Sequence, residues 1–180
     1  MRNVAKAWVG YLEHATNDLL GVFTANIGKG GYTIFSVIIQ RYYRWRNFSG
    51  LAWCATFVHA VCLEAYGVDK ARKLVGKPHP GTRVLARRLK RQGRLKGREY
   101  TPQPNDLIFL QNGDGRIRHC GIVDHVEGDI IVSIEGNTHD PTGRFVYGDG
   151  GAVAIRRREA DHRAIMGYGQ MNLSSKEERQ

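Results

Sequence analysis

Cys54 stands in Trp53-Cys54-Ala55-Thr56-Phe57-Val58, in the first turn of a helix that the apolar spacing starts near Leu51 or Ala52. A thiol in the first turn of a helix lies near the positive end of the helix dipole, where free backbone N–H groups stabilise a thiolate and make it a nucleophile. The other reading of this segment is a core thiol surrounded by Trp53, Phe57 and Val58, because free cysteine is among the most buried residue types. A nucleophilic thiol also needs a base, and the chain carries 7 histidines. His119 is the one with suitable neighbours. It opens the strand-like run His119-Cys120-Gly121-Ile122-Val123, and the next run ends Ile134-Glu135-Gly136-Asn137-Thr138.

Register links these two runs. If Glu127, Gly128 and Asp129 form a three-residue hairpin loop, Val126 faces Ile130 and His119 lies opposite Asn137; a shift of two residues puts Glu135 opposite instead. In both registers His119, Glu135 and Asn137 share one face, since strand side chains alternate with period two. A carboxylate or amide beside a histidine orients the ring and stabilises its charged form. The order Cys, His, polar orienting group is that of papain-type sites.

Elements must hold these residues in place. Helices are expected over residues 2–13, from Thr33 to about Arg44, from Leu51 or Ala52 to Ala65, and over 82–92. Ser49-Gly50 is the capping candidate for the third, and Gly67 stands just past its end. After Pro102 and Pro104 the pattern becomes strand-like, over 106–111, 119–126 and 129–135, then about 151–156 and 164–168. Helices followed by an antiparallel sheet predict an α+β fold.

Composition sets the outer bounds. The chain has 180 residues, enough for one domain with a real core, and its 42% hydrophobic and 24% charged residues are those of a globular protein. With 27 Lys plus Arg against 17 Asp plus Glu the net charge is +10, which favours polyanionic partners. That charge is concentrated. Arg72 to Arg98 holds eleven basic residues and no acidic one. Arg83, Arg87, Arg88, Lys90 and Arg91 on the fourth helix, with Trp53 beside the thiol, are the candidate substrate- and anion-binding residues. A solvated helix face is the alternative.

Three cysteines cannot all pair. Cys54 and Cys62, on one helix, stand ~12 Å apart, so free thiols are expected. Residues 2–16 interrupt their apolar run with Lys6, Glu13 and His14, and Tyr32 to Ile39 is far short of the ~20 residues of a membrane span. Synthesis in the cytosol without a signal peptide is therefore expected. Cysteines and histidines lack zinc-site spacing, and no Lys-Ser/Thr follows the glycines at 148–151 to make a phosphate loop.

Taken in order, Trp53 to Val58, Pro104-Asn105-Asp106-Leu107-Ile108-Phe109, His119 to Val123 and Ile134 to Thr138 resemble the successive signatures of a CHAP domain (cysteine, histidine-dependent amidohydrolase/peptidase). Tyr11 to Asn17, Thr24 to Asn26, Gly150 to Val153 and Ile165 to Gly169 are similar to the flanks of the group found in Gram-positive bacteria and their phages, so the resemblance covers about residues 8–170. It implies a papain-like fold, related to the NlpC/P60 enzymes, filling the chain as a single catalytic domain. It also implies Cys54 as nucleophile, His119 as general base and acid, Glu135 orienting the imidazole and Asn137 assisting or substituting for it.

The implied reaction is cleavage of amide bonds in peptidoglycan, as an amidase or endopeptidase, with an oxyanion donor at the Cys54 N–H and a second somewhere in Gln40 to Ser49. No cofactor is implied. Some relatives bind calcium ahead of the nucleophile, but Arg44, Arg46, Asn47 and Ser49 supply no carboxylate there, so no metal site is expected. The partner is expected to be peptidoglycan, with teichoic acid or another anionic wall polymer held by the basic stretch, and the protein a monomer acting as an endolysin or other lytic enzyme. The alternatives are a basic nucleic-acid-binding protein, for which no nucleic-acid motif accompanies the charge, and an amidase on a small γ-glutamyl or polyamine substrate.

Overall fold

In the computed structural model, residues 1–144 and 150–173 are described. Among these residues four helices, α1 (Arg2–Ala7), α2 (Ile34–Tyr42), α3 (Cys54–Val75) and α4 (Thr82–Arg91), precede a six-stranded sheet. Its strands are β1 (Leu95–Lys96), β2 (Leu107–Gln111), β3 (Ile117–Glu127), β4 (Ile130–Thr138), β5 (Ala152–Glu159) and β6 (Ile165–Gly169), in spatial order β1-β6-β2-β3-β4-β5. All neighbours are antiparallel. This is the expected α+β fold.

The strands were legible to within a few residues, because each alternates or runs apolar between turn residues. The helices differ more. The first stops at Ala7, not near residue 13, because the chain turns through Gly10 at φ 93° and Tyr11 and Leu12 then run extended, Leu12 bridging Ala152. Gly67 interrupts the third helix as expected, at φ 74° and ψ 176°, but the helix resumes beyond it to Val75. The short β1 lies inside the basic stretch, where no apolar alternation marks it.

One core lies between the helices and the sheet. Phe57, Val58 and Val61 of α3, Phe35 and Ile39 of α2, and Leu85 and Leu89 of α4 pack with Leu107, Phe109, Cys120, Ile122 and Ile134. Burying each such side chain contributes ~1.5–3 kcal/mol, so this layer fixes where the helix starts meet the sheet. A smaller cluster of Ile108, Leu110, Val123, Ile131, Ile165 and Tyr168 forms separately.

The β3–β4 hairpin carries the register that matters. Its loop has two residues, Gly128 and Asp129, with Glu127 facing Ile130, where three were expected. A bulge at Asp124 then adds the missing residue, so that Val123 faces Ser133 and Ile122 faces Ile134, the first of the two expected registers. Asp124 is buried and pinned by Lys6 of α1 at 2.8 Å and by His125 at 3.0 Å.

Candidate active site

Cys54 is the first residue of α3, and its N-cap is Trp53 without a side-chain cap. Ser49-Gly50 does not cap the helix: Gly50 turns the chain at φ 78° and Leu51 and Ala52 intervene. The first intrahelical bond here runs from the Phe57 N–H to the Trp53 carbonyl, so the amides of the opening turn stay available. Trp53 is held rigidly. Its ring stacks on Phe35 with centroids 5.5 Å apart, and its Nε1 donates to Glu13 Oε2 at 2.7 Å while the Gly31 N–H donates to Glu13 Oε1 at 2.8 Å. With 1% of its surface exposed, Trp53, expected to bind substrate, is a packed anchor for the backbone at Cys54.

The thiol meets three side chains. Thr82 Oγ1, at the start of α4, lies 3.3 Å from Cys54 Sγ, and Cys120 Sγ lies 4.0 Å from the same hydroxyl. Cys54 interacts with Cys120 and His119 as well, and these contacts hold its thiol well below its ordinary range: Cys120 contributes most, burial opposes, and His119 and Thr82 add to the lowering. Thr82 donates to a Cys54 thiolate while accepting from the Cys120 S–H. Replacing it by the isosteric valine removes a hydrogen bond to a charged group, worth ~1.5–3 kcal/mol. Cys54 of Thr82→Val is therefore expected to alkylate about tenfold more slowly at neutral pH, measured by iodoacetamide kinetics and peptide mass spectrometry.

His119 Nε2 lies 3.0 Å from Glu135 Oε2. Glu135 is fully buried, yet its carboxyl is held down to about 2: burial opposes this, but His119 and Arg158 outweigh it. An ionised carboxylate only accepts, so Nε2 carries a proton and Nδ1 is left for the thiol. Burial works against the imidazolium too, but the Cys54 and Glu135 partners push it up to about 10. Both shifts favour the thiolate–imidazolium form of the pair.

The contact between His119 and Glu135 is diagonal. The observed register continues to put Gly121 opposite Glu135, and a Cβ on Gly121 would come within 2.5 Å of Glu135 Cγ. Glycine at 121 lets the carboxylate cross to the histidine. Asn137, the residue opposite His119 in that register, turns away at φ 57° and lines a separate pocket with Trp53, Glu13 and Gly150. Of the two expected orienting groups, Glu135 is the one within hydrogen-bond distance of the ring, and Asn137 makes no described hydrogen bond to it.

Arg158, Ser133 and Thr82 were missed from the sequence. Ser133 Oγ donates to Glu135 Oε1 at 2.6 Å, and Arg158 donates to both carboxylate oxygens, at 2.5 and 3.1 Å. The signal was present, since the pairing Ile131–Arg158 and strand alternation put Arg158 on the Ser133–Glu135 face. Arg157, on the opposite face, pairs with Glu127 at 2.6 Å.

The basic stretch divides. Arg83 and Arg87 are exposed and line, with His79, Arg118, Thr82 and Cys54, a groove of about 570 Å³. Lys90 and Arg91 continue it along α4. Arg88, expected to bind anions, instead donates to the Val75 and Lys77 carbonyls and ties α4 to the end of α3. Arg94 is likewise buried among the Leu74, Lys73 and Gln170 carbonyls. None of Gln40 to Ser49, the expected source of a second oxyanion donor, lines the groove around Cys54. The glycine and aspartate at 148 and 149 lie outside the described residues.

A helix-start thiol, a histidine on the adjacent strand and a buried carboxylate behind it make a papain-like site. Residues 46–137, half the chain, match the CHAP domain family. The chain belongs to the CHAP family. CHAP domains are amidase and peptidase hydrolases, commonly acting on peptidoglycan, and the matched span contains Cys54, His119, Glu135 and Asn137. No curated protein matches the chain. Among the described residues no helix is long and apolar enough to cross a membrane.

Proposed function

We propose that this CHAP protein is a single-domain cysteine hydrolase that cuts amide bonds of bacterial peptidoglycan, as a phage or prophage endolysin or another wall-lytic enzyme. The observation that carries the reading is that Cys54 lines a cationic groove and is backed by the His119–Glu135 pair.

The Cys54 thiolate attacks the amide carbonyl carbon, and the Cys54 N–H, free at the helix start, stabilises the oxyanion. The Nδ1–H of His119 protonates the leaving amine, which departs as the thioester forms. The neutral ring then takes a proton from water, and the resulting hydroxide releases the acyl group and restores the thiolate. Glu135 stays ionised throughout and holds the Nε2–H.

Arg83, Arg87 and Arg118 give the groove its charge, which suits wall carboxylates or phosphodiesters. Arg83→Gln with Arg87→Gln removes two exposed cations worth up to ~1 kcal/mol each, so KM for soluble wall fragments is expected to rise ~5–30-fold with kcat little changed. Rate measurements over a salt series check this, because the variant loses most of the parent's salt sensitivity. Clearing of a peptidoglycan suspension tests the activity itself. Mass spectrometry of the released fragments assigns the bond: a new N-terminal alanine marks an N-acetylmuramoyl-L-alanine amidase, and a new terminus within the stem or cross-bridge an endopeptidase. A duplex-DNA titration with steep salt dependence and no wall clearing would support the nucleic-acid reading instead.

A further inference from the structure

The catalytic scheme leaves one buried nucleophile unused. Cys120 follows His119 on β3, is fully buried, and shares the Thr82 hydroxyl with Cys54, the two sulfurs lying 4.0 and 3.3 Å from Oγ1. Cys54 lines the open groove and can be reached by a small oxidant; Cys120 stands behind it. We propose that Cys54 and Cys120 form a redox modification site, in which a hydroperoxide oxidises Cys54 and Cys120 resolves the product to a reversible disulfide.

The chemistry balances. The Cys54 thiolate attacks a peroxide oxygen; the S–O bond forms, the O–O bond breaks and hydroxide leaves, giving a sulfenic acid as sulfur is oxidised and peroxide reduced. The Cys120 sulfur then attacks the sulfenyl sulfur. The S–S bond forms, the S–O bond breaks, and the departing hydroxide takes the Cys120 proton as water. The first step removes the thiolate charge that, with burial, raises Cys120 above the ordinary thiol range, so oxidation of Cys54 eases ionisation of its partner. Both sulfurs contact one hydroxyl, so closure requires Thr82 to release at least one of them. Cys62 is no rival: it sits eight residues along α3 from Cys54, ~12 Å away, with its thiol pushed up to about 12 by burial.

The inference rests on Cys54 being the reactive thiol but not on the identity of the polymer, so its main readout needs no substrate. Reduced protein is treated with a molar excess of hydrogen peroxide, its intact mass is read, and it is then denatured, alkylated with excess iodoacetamide and mapped by mass spectrometry. The expected result is a peptide joining Cys54 to Cys120 with Cys62 alkylated, an intact mass lower by two hydrogens, and near-complete return of the free thiols with dithiothreitol. In Cys120→Ser and Cys120→Ala, Cys54 should advance to sulfinic acid, which dithiothreitol does not reverse. A parent protein in which Cys54 reaches sulfinic acid without any Cys54–Cys120 peptide overturns the proposal. So does equal recovery of Cys54 in a folded Cys120 variant. Loss of wall clearing without peroxide, by contrast, bears only on the proposed function.

Discussion

Cys54→Ala is expected to lose wall clearing by at least ~10⁴-fold, to the background of the assay, while unfolding within a few degrees of the parent. The large effect follows from covalent catalysis: without the sulfur no thioester forms, and the remaining imidazole and helix-start amides cannot substitute for a nucleophile. The small effect on stability follows from size and place. Cys54 is 4% exposed in the lining of the groove, and removing one sulfur there costs about 1 kcal/mol or less, offset by relief of a buried charge. Turbidity decay and a thermal melt on the same preparation measure both. Clearing equal to the parent's would remove Cys54 from the chemistry.

Glu135→Ala should be damaging in both respects. The substitution leaves Arg158, whose side chain is 14% exposed, without its carboxylate, and breaking a pair of this kind costs ~3–5 kcal/mol. It also frees the His119 ring and removes the partner that favours its charged form, which should lower activity ~10²–10⁴-fold. Glu135→Gln separates the two losses, since it keeps the shape and one acceptor oxygen but not the charge. The pH behaviour gives an independent check. Glu135 falls from an ordinary 4.5 to about 2 on folding, so its stabilisation is present above 4.5 and is lost as acid takes the protein down towards 2. His119 rises from 6.5 to about 10, so its contribution is complete below 6.5 and is lost as pH climbs towards 10. In the parent the alkaline limb of activity should follow His119 near 10; in Glu135→Gln that limb should move to lower pH. Denaturant melts and rate profiles across this range measure the two shifts.

The reading of the sequence succeeded where a local pattern carries a global constraint. Period-two alternation placed His119 and Glu135 on one face, apolar spacing put Cys54 in the first turn of a helix, two or three residues from its actual start, and the motif order pointed to the family. Hairpin arithmetic found the register that pairs Ile122 with Ile134 only because two departures cancel: the loop is one residue shorter than expected and Asp124 adds one as a bulge. The bulged Asp124 pairs with Lys6, more than a hundred residues earlier, a partner that no local signal marks. Arg158 was hidden for a different reason. It sits in Arg156-Arg157-Arg158, a run that reads as solvated charge until the sheet order puts β5 beside β4 and turns every second residue toward Glu135. Thr82 is a lone hydroxyl at the start of a basic helix, and its meaning comes from two sulfurs brought to it from α3 and β3. Trp53 and Arg88 show the opposite error, in which residues suited to binding are spent on Glu13 and on the carbonyls of Val75 and Lys77.

The central claim is that Cys54 is a thiolate at neutral pH and the nucleophile of the reaction. One equivalent of iodoacetamide at pH 7, followed by peptide mapping and a clearing assay, tests both halves together. The account predicts a single label on Cys54, with Cys62 and Cys120 untouched, and loss of clearing in proportion to the label. Label distributed without preference for Cys54, or full labelling of Cys54 with clearing intact, would contradict it.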